Sequence, residues 1–402
     1  MVRVSRWRWV WGVIVICVVT AIVSPAQVTF TTLVDFTGSN GSTPYMVLTQ
    51  GADGNFYGTT YEGGATPPPG FGSVFKVTPA GTLTTLHSFC TQANCSDGSL
   101  PLGSLAQDSN GDFYGTTQSG GSGKFCPYPN SCGTVYKISP AGRLTTLYSF
   151  CSLPNCADGN EPTAGLVQGT NGNFYGTTSG GDTTAGTAFE ITPSGNLTTL
   201  SSSGAFPSGL LQARNGKFYG EYGGVGNAYG TIFEMSPSGE QTTLFSFDFS
   251  DGAHPTGGLI QATNGSFYGV TGGGGSGSDT GGTIFEITAA AKLTTLFNFC
   301  PSTDCTDGAA PYGPVVQGSD GNFYGTTSGQ EVNNGTVFEI TPRGALTLLH
   351  SFCSGDCSDG ATPLAGMLQA TNGSFYGTTS VGPPWGFGTI FSLSVGLGPL
   401  MR

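Results

Sequence analysis

Few residues of this chain have the type and spacing that chemistry needs. His254, in Asp251-Gly252-Ala253-His254-Pro255, is the one histidine that falls in a loop. With Asp251 beside it and Glu161 in a similar loop, it forms the one set that general acid–base work could use. Two carboxyl groups about 5–9 Å apart across a cleft would serve glycoside hydrolysis. An extracellular carbohydrate-active hydrolase or lyase is therefore one expectation. His87 and His350 stand where a repeated segment elsewhere has Tyr148, Phe245 or Phe297, which reads as packing. The sequence shows no nucleophile elbow, zinc motif, phosphate loop or nucleotide fingerprint. No metal and no cofactor are expected, and binding is favoured over catalysis.

Other polar residues recur in register. Asp97, Asp158, Asp251, Asp307 and Asp359 each precede Gly and lie ten residues before a Gln, with Asn40 in the same place in the first copy. A ring of carboxylates would bind a cation or cationic groups, since hard cations take oxygen ligands. The alternative is an Asp that bonds its own turn ahead of a left-handed Gly, and repetition in nearly every copy favours it. The seven Gln, from Gln50 to Gln369, either line a channel with amides or satisfy backbone groups between repeats; the second is favoured. Ten cysteines form close pairs: Cys90/Cys95, Cys126/Cys132, Cys151/Cys156, Cys300/Cys305 and Cys353/Cys357. Each pair sits in one Gly/Pro/Asn-rich loop without His partners, which predicts five local disulfides in an oxidising compartment over zinc.

These residues are positioned by a repeat. Phe-Tyr-Gly occurs seven times, from Phe56 to Phe375, at a mean spacing of about 53 residues. In every copy Gln lies six residues before the Phe, with Asn-Gly or Asp-Gly usually between them, the strongest short hairpin signal. Strand b carries FYGTT, strand c follows a Gly-rich loop, Pro-x-Gly commonly turns the chain, and strand d reads Leu-Thr-Thr-Leu-x-x-Phe. Four strands per unit predict an all-β, seven-bladed β-propeller of four-stranded antiparallel blades. Residues 28–36 match strand d but precede any other strand, and the last copy stops after strand c. The N-terminal strand should therefore close the last blade.

The recurring NGxFYGTT…GG…GTxFxITPxGxLTTLxSF string resembles the GloVer tandem-repeat family of exported bacterial proteins over about residues 28–395. The resemblance implies surface or secreted proteins with no established catalytic role and a C-terminal anchor that varies between members. This chain has no sorting tail after its last strand c, so free secretion is expected.

Residues 1–26 read as a signal peptide: Arg3, Arg6 and Arg8, then an apolar run from Val10 to Val23, then Ser24-Pro25-Ala26. Residues 27–402 form the single propeller domain. Formal charge is −12 over 402 residues and only 9% are charged, which argues against nucleic acid. No second apolar span follows, so no membrane span is expected after cleavage. The a–b and c–d turns are short and share one face, whereas the b–c and d–a loops are varied, hold every Cys pair and share the other. Binding usually resides on such variable loops. The leading expectation is a secreted, monomeric, non-enzymatic propeller binding a glycan or extracellular protein through its loop-rich face. A purely structural surface component is the remaining alternative.

Overall fold

A computed structural model describes residues 28–399, except 66–69, 127–131, 181–185, 203–206, 225–227, 276–280, 302–303, 330–333 and 384–385. The expected leader lies outside the described residues. Seven separate antiparallel sheets follow one another along the chain. In the second, the strands from inside out are Ala106–Gln107, Phe113–Thr117, Thr134–Ile138 and Leu144–Ser149, here called a to d. The described residues otherwise hold only two single-turn 3-10 segments, Ala93–Cys95 and Pro154–Cys156. The fold is an all-β, seven-bladed propeller.

Strand b is the buried centre of each blade. All five residues of Phe113–Thr117 are buried, because both faces of the blade meet a neighbour. Successive side chains on a strand point to opposite faces, so adjacent Phe and Tyr reach opposite neighbours. Tyr57 stacks on Phe113 at 4.0 Å, Tyr114 on Phe174 at 4.0 Å and Tyr175 on Phe218 at 4.3 Å. Tyr219–Phe267, Tyr268–Phe323 and Tyr324–Phe375 continue the series, and Tyr376 on Phe56 at 4.0 Å closes it. Each such pair adds roughly 0.5–1.5 kcal/mol beyond its buried area. The glycine between Tyr and Thr is required by its cross-strand partner. A Cβ on Gly325 would come within 2.5 Å of the Phe338 ring, which lies over it.

The last sheet is completed from the other end of the chain. Thr29–Asp35 pairs antiparallel with Thr389–Ser394, placing Thr31 opposite Ser392 and Val34 opposite Ile390. The closure expected from the offset repeat register is present. Strand a is a residue pair ending in Gln in six blades, and lengthens to Pro207–Gln212 in the fourth. The segments leading into it are Gly- and Pro-rich and crowd the central axis, where a regular ladder has no room. Gly103 and Gly165 of adjacent blades, for example, are too close for a Cβ between them.

Candidate functional site

The face that carries the short turns is built for cohesion. Gln107 accepts the Ala52 amide of the preceding blade at 3.0 Å and donates to Gly111 of its own hairpin at 3.1 Å. Gln212, Gln261, Gln317 and Gln369 repeat the bridge, and Gln50 accepts the Thr371 amide across the closure at 2.9 Å. The amides therefore staple neighbouring blades. The strand-c residue after the central aromatic, Lys in blades one and two and Glu in blades three to six, has its partners on the same face. Lys76 meets Asp53 at 2.8 Å, whereas Glu190 receives Asn173 at 2.6 Å and the Tyr175 hydroxyl at 2.9 Å.

The opposite face is made of loops held by their own backbones. Asp97 and Asp158 are fully buried. Asp97 accepts the Thr91 hydroxyl at 2.9 Å and the Thr91 and Gln92 amides, and lies 3.1 Å from His87 Nε2. Burial pushes its carboxyl up, but these bonds outweigh burial and hold it below the usual carboxylate range. Asp158 receives Tyr148 Oη and the Ser152 and Leu153 amides. Asp359 lies 2.8 Å from His350 Nε2 and accepts the Cys353 amide, while Asp307 accepts the Cys300 amide. His87 and His350 thus do more than pack: each joins strand d to the loop that follows it. Disulfides Cys90–Cys95, Cys151–Cys156, Cys300–Cys305 and Cys353–Cys357 close these d–a loops, and Cys126–Cys132 closes a b–c loop. Among the described residues, no three His, Cys, Asp or Glu side chains gather as a metal site.

The three residues weighed for acid–base chemistry occupy distinct places. Glu161 and His254 turn out to share one structural position, the residue before the loop proline, together with Thr43, Leu100, Ala310 and Thr362. All six have φ between +50° and +58°. Their amides reach back to the preceding blade: Glu161 N–H donates to Cys132 O at 2.9 Å and His254 N–H to Tyr229 O at 2.8 Å. The backbone is fixed and the side chain is left to vary. Glu161 lies in blade three and His254 in blade five; the His254 ring is exposed, with Nδ1 2.9 Å from Gly223 O. Asp251 receives the Asp248 amide at 3.0 Å, within its own turn. Burial raises its carboxyl, with the Asp248 amide opposing and the Asp248 charge adding to the rise.

A cavity of about 400 Å³ opens where the loops meet the central channel. Tyr45, Leu364 and Tyr312, each directly after a loop proline, line it, as do Thr163, Thr256 and Ser104. Tyr45 lies 5.5 Å from Tyr61, whose hydroxyl donates to Gln118 at 3.1 Å. Burial, and then the charge of Glu62, raise both phenols above their ordinary value. Phe71, Tyr229 and Phe387, each directly before the glycine that opens strand c, are exposed at 38%, 38% and 45%. Reading single residues for reactivity missed all of these. Their signal was positional: a large apolar residue at a loop position that other copies fill with something else.

The family model described as the Gloeobacter/Verrucomicrobia repeat matches residues 19–189, 128–306 and 179–391. The chain belongs to this family. Comparison of this repeat protein with curated sequences gives no match. Among solved structures it is similar to an oligogalacturonate lyase in complex with manganese, at 9% identity and a TM-score of 0.55, over 92% of this chain and 91% of that one. A puromycin hydrolase is similar at 12% identity and a TM-score of 0.57, over 91% of this chain and 55% of that one. At these identities the likeness is one of fold. Five disulfides, and no helix among the described residues long and apolar enough to cross a membrane, are compatible with an extracellular repeat protein.

Proposed function

We propose that this is an exported, non-catalytic binding propeller that takes a glycan or extracellular protein on its loop-rich face. One observation carries the reading. Of the eight large apolar side chains exposed among the described residues, Phe71, Phe125, Leu153, Tyr229, Tyr312 and Phe387 lie in the b–c and d–a connections. Exposed apolar groups gathered on one face of a rigid scaffold are the usual mark of an interaction surface. The acid–base candidates support the same reading, since their backbones serve blade docking and Asp251 serves its own turn. Screening the chain against glycan and surface-protein arrays tests this. Binding that drops at least about tenfold in the Phe71→Ala/Tyr229→Ala/Phe387→Ala variant is expected, as interface aromatics dominate affinity. Absence of any binding would sink it.

A hydrolase or lyase is the second reading, favoured by one feature. Glu161 and His254, the latter in the short extra strand Ala253–Pro255 of the fifth sheet, stand at equivalent positions before a proline on either side of blade four, so a carboxylate and an imidazole share one level of the ring. Turnover of a polysaccharide that is lost in both Glu161→Gln and His254→Ala would establish it.

A further inference from the structure

We infer that the cavity at the channel mouth binds the end of an uncharged saccharide and discriminates against acidic ones. This rests on the loop-rich face being the binding face and names what that face takes.

The cavity has two unlike sides. Blades six, seven and one are contiguous through the ring closure, and they contribute Tyr312, Leu364 and Tyr45. Blades two and three contribute the hydroxyl-bearing Ser104 and Thr163. A pyranose has the matching character, with a C–H face suited to an aromatic wall and a rim of hydroxyls suited to small donor–acceptor groups. The volume of about 400 Å³ falls within the ~300–1,000 Å³ range of small-molecule sites. Channel-lining glycines such as Gly165, Gly257 and Gly313 keep the walls thin and add no competing side chains.

Charge sets the class. Among the described residues no charged side chain lines the cavity, so a ligand carboxylate or ammonium would lose water without gaining a partner. On the same face, the b–c and d–a connections hold Glu62, Glu161, Asp251, Asp307 and Asp359, while Lys124 is their one Lys or Arg among the described residues. The resulting negative potential repels uronates and phosphates before contact. A neutral hexose end enters without that opposition.

Calorimetric titration of the full chain with cellohexaose, mannohexaose and hexagalacturonate tests the proposal. At least one neutral hexasaccharide should bind at least about tenfold more tightly than hexagalacturonate. Tyr312→Ala and Tyr45→Ala should each weaken it about tenfold, while Tyr312→Phe, which keeps the ring, stays within about threefold. Tyr312 is 37% exposed, so the two Tyr312 variants should keep the parent melting temperature. Equal or tighter hexagalacturonate binding would overturn the charge argument. Neutral-sugar binding that ignores both alanine variants would overturn the location. Binding of no saccharide, alongside capture of a protein on the array, would overturn this inference and leave the loop-rich binding face standing.

Discussion

The aspartates of the d–a loops show how one residue type divides between chemistry and architecture. Asp97 is buried and holds two amides and a hydroxyl beside His87, so its charge is consumed in fixing a loop. Because its folded pKa is depressed, its contribution is present above the ordinary carboxylate value and fades as pH falls through the folded one. Asp97→Asn should therefore cost about 1–3 kcal/mol at pH 7, the range for a disrupted buried hydrogen-bond set. The gap to the parent should narrow below about pH 4. Urea unfolding at pH 7 and pH 3 measures both; a gap independent of pH would refute the role given to the charge. The turn reading was legible from repetition, but the His87–Asp97 and Tyr148–Asp158 partnerships were not. Histidine and tyrosine looked like packing substitutes because the spacing to Asp in the folded loop cannot be read along the chain. The change of charge on strand c, from Lys in the first two blades to Glu in the next four, was also opaque until its partner was visible: Lys76 faces Asp53, and Glu190 faces Asn171 and Asn173.

At the level of the element, six of the d–a loops are docked by a proline. Thr362 N–H donates to Asn334 O at 2.8 Å, and Pro363 lies directly on Gly335 at the start of strand c of the preceding blade. Gly335 has φ +95°, and a Cβ there would come within 2.5 Å of Pro363 Cδ and Thr327 O. Gly335→Ala should cost more than about 1 kcal/mol, since both the φ and the contact forbid a side chain. Its effect should appear as faster hydrogen exchange at the Thr362 and Phe352 amides, both of which bond to this junction. Unchanged exchange would show that the proline does not hold the loop. The four strands per blade were readable from short β-branched and aromatic runs. The brevity of strand a was not, because it follows from crowding around an axis that no single repeat reveals.

For the whole molecule, the split register of the repeat made both the blade number and the closure legible. Seven Tyr–Phe stacks and the Gln bridges then make each blade depend on two neighbours. Removing residues 28–36 takes away buried Val34 and Phe36 and uncovers the edge of Thr389–Ser394. The loss should be roughly 3–6 kcal/mol from apolar burial alone, with a lowered melting temperature. A truncated chain as stable as the parent would mean the ring does not need its clasp. What sequence could not show is which side chains converge at the channel mouth, since Tyr45 and Tyr312 are 267 positions apart and meet only in the closed ring. The claim that the loop-rich face is the working face is tested most directly by orientation. The chain is immobilised through a single biotin at position 343, in an exposed c–d turn, or at position 356, in an exposed d–a loop. Both forms are probed with the same glycan and protein arrays. Ligand captured through the 343 tether and lost through the 356 tether is the expected result; equal capture by both, or the reverse preference, would contradict it.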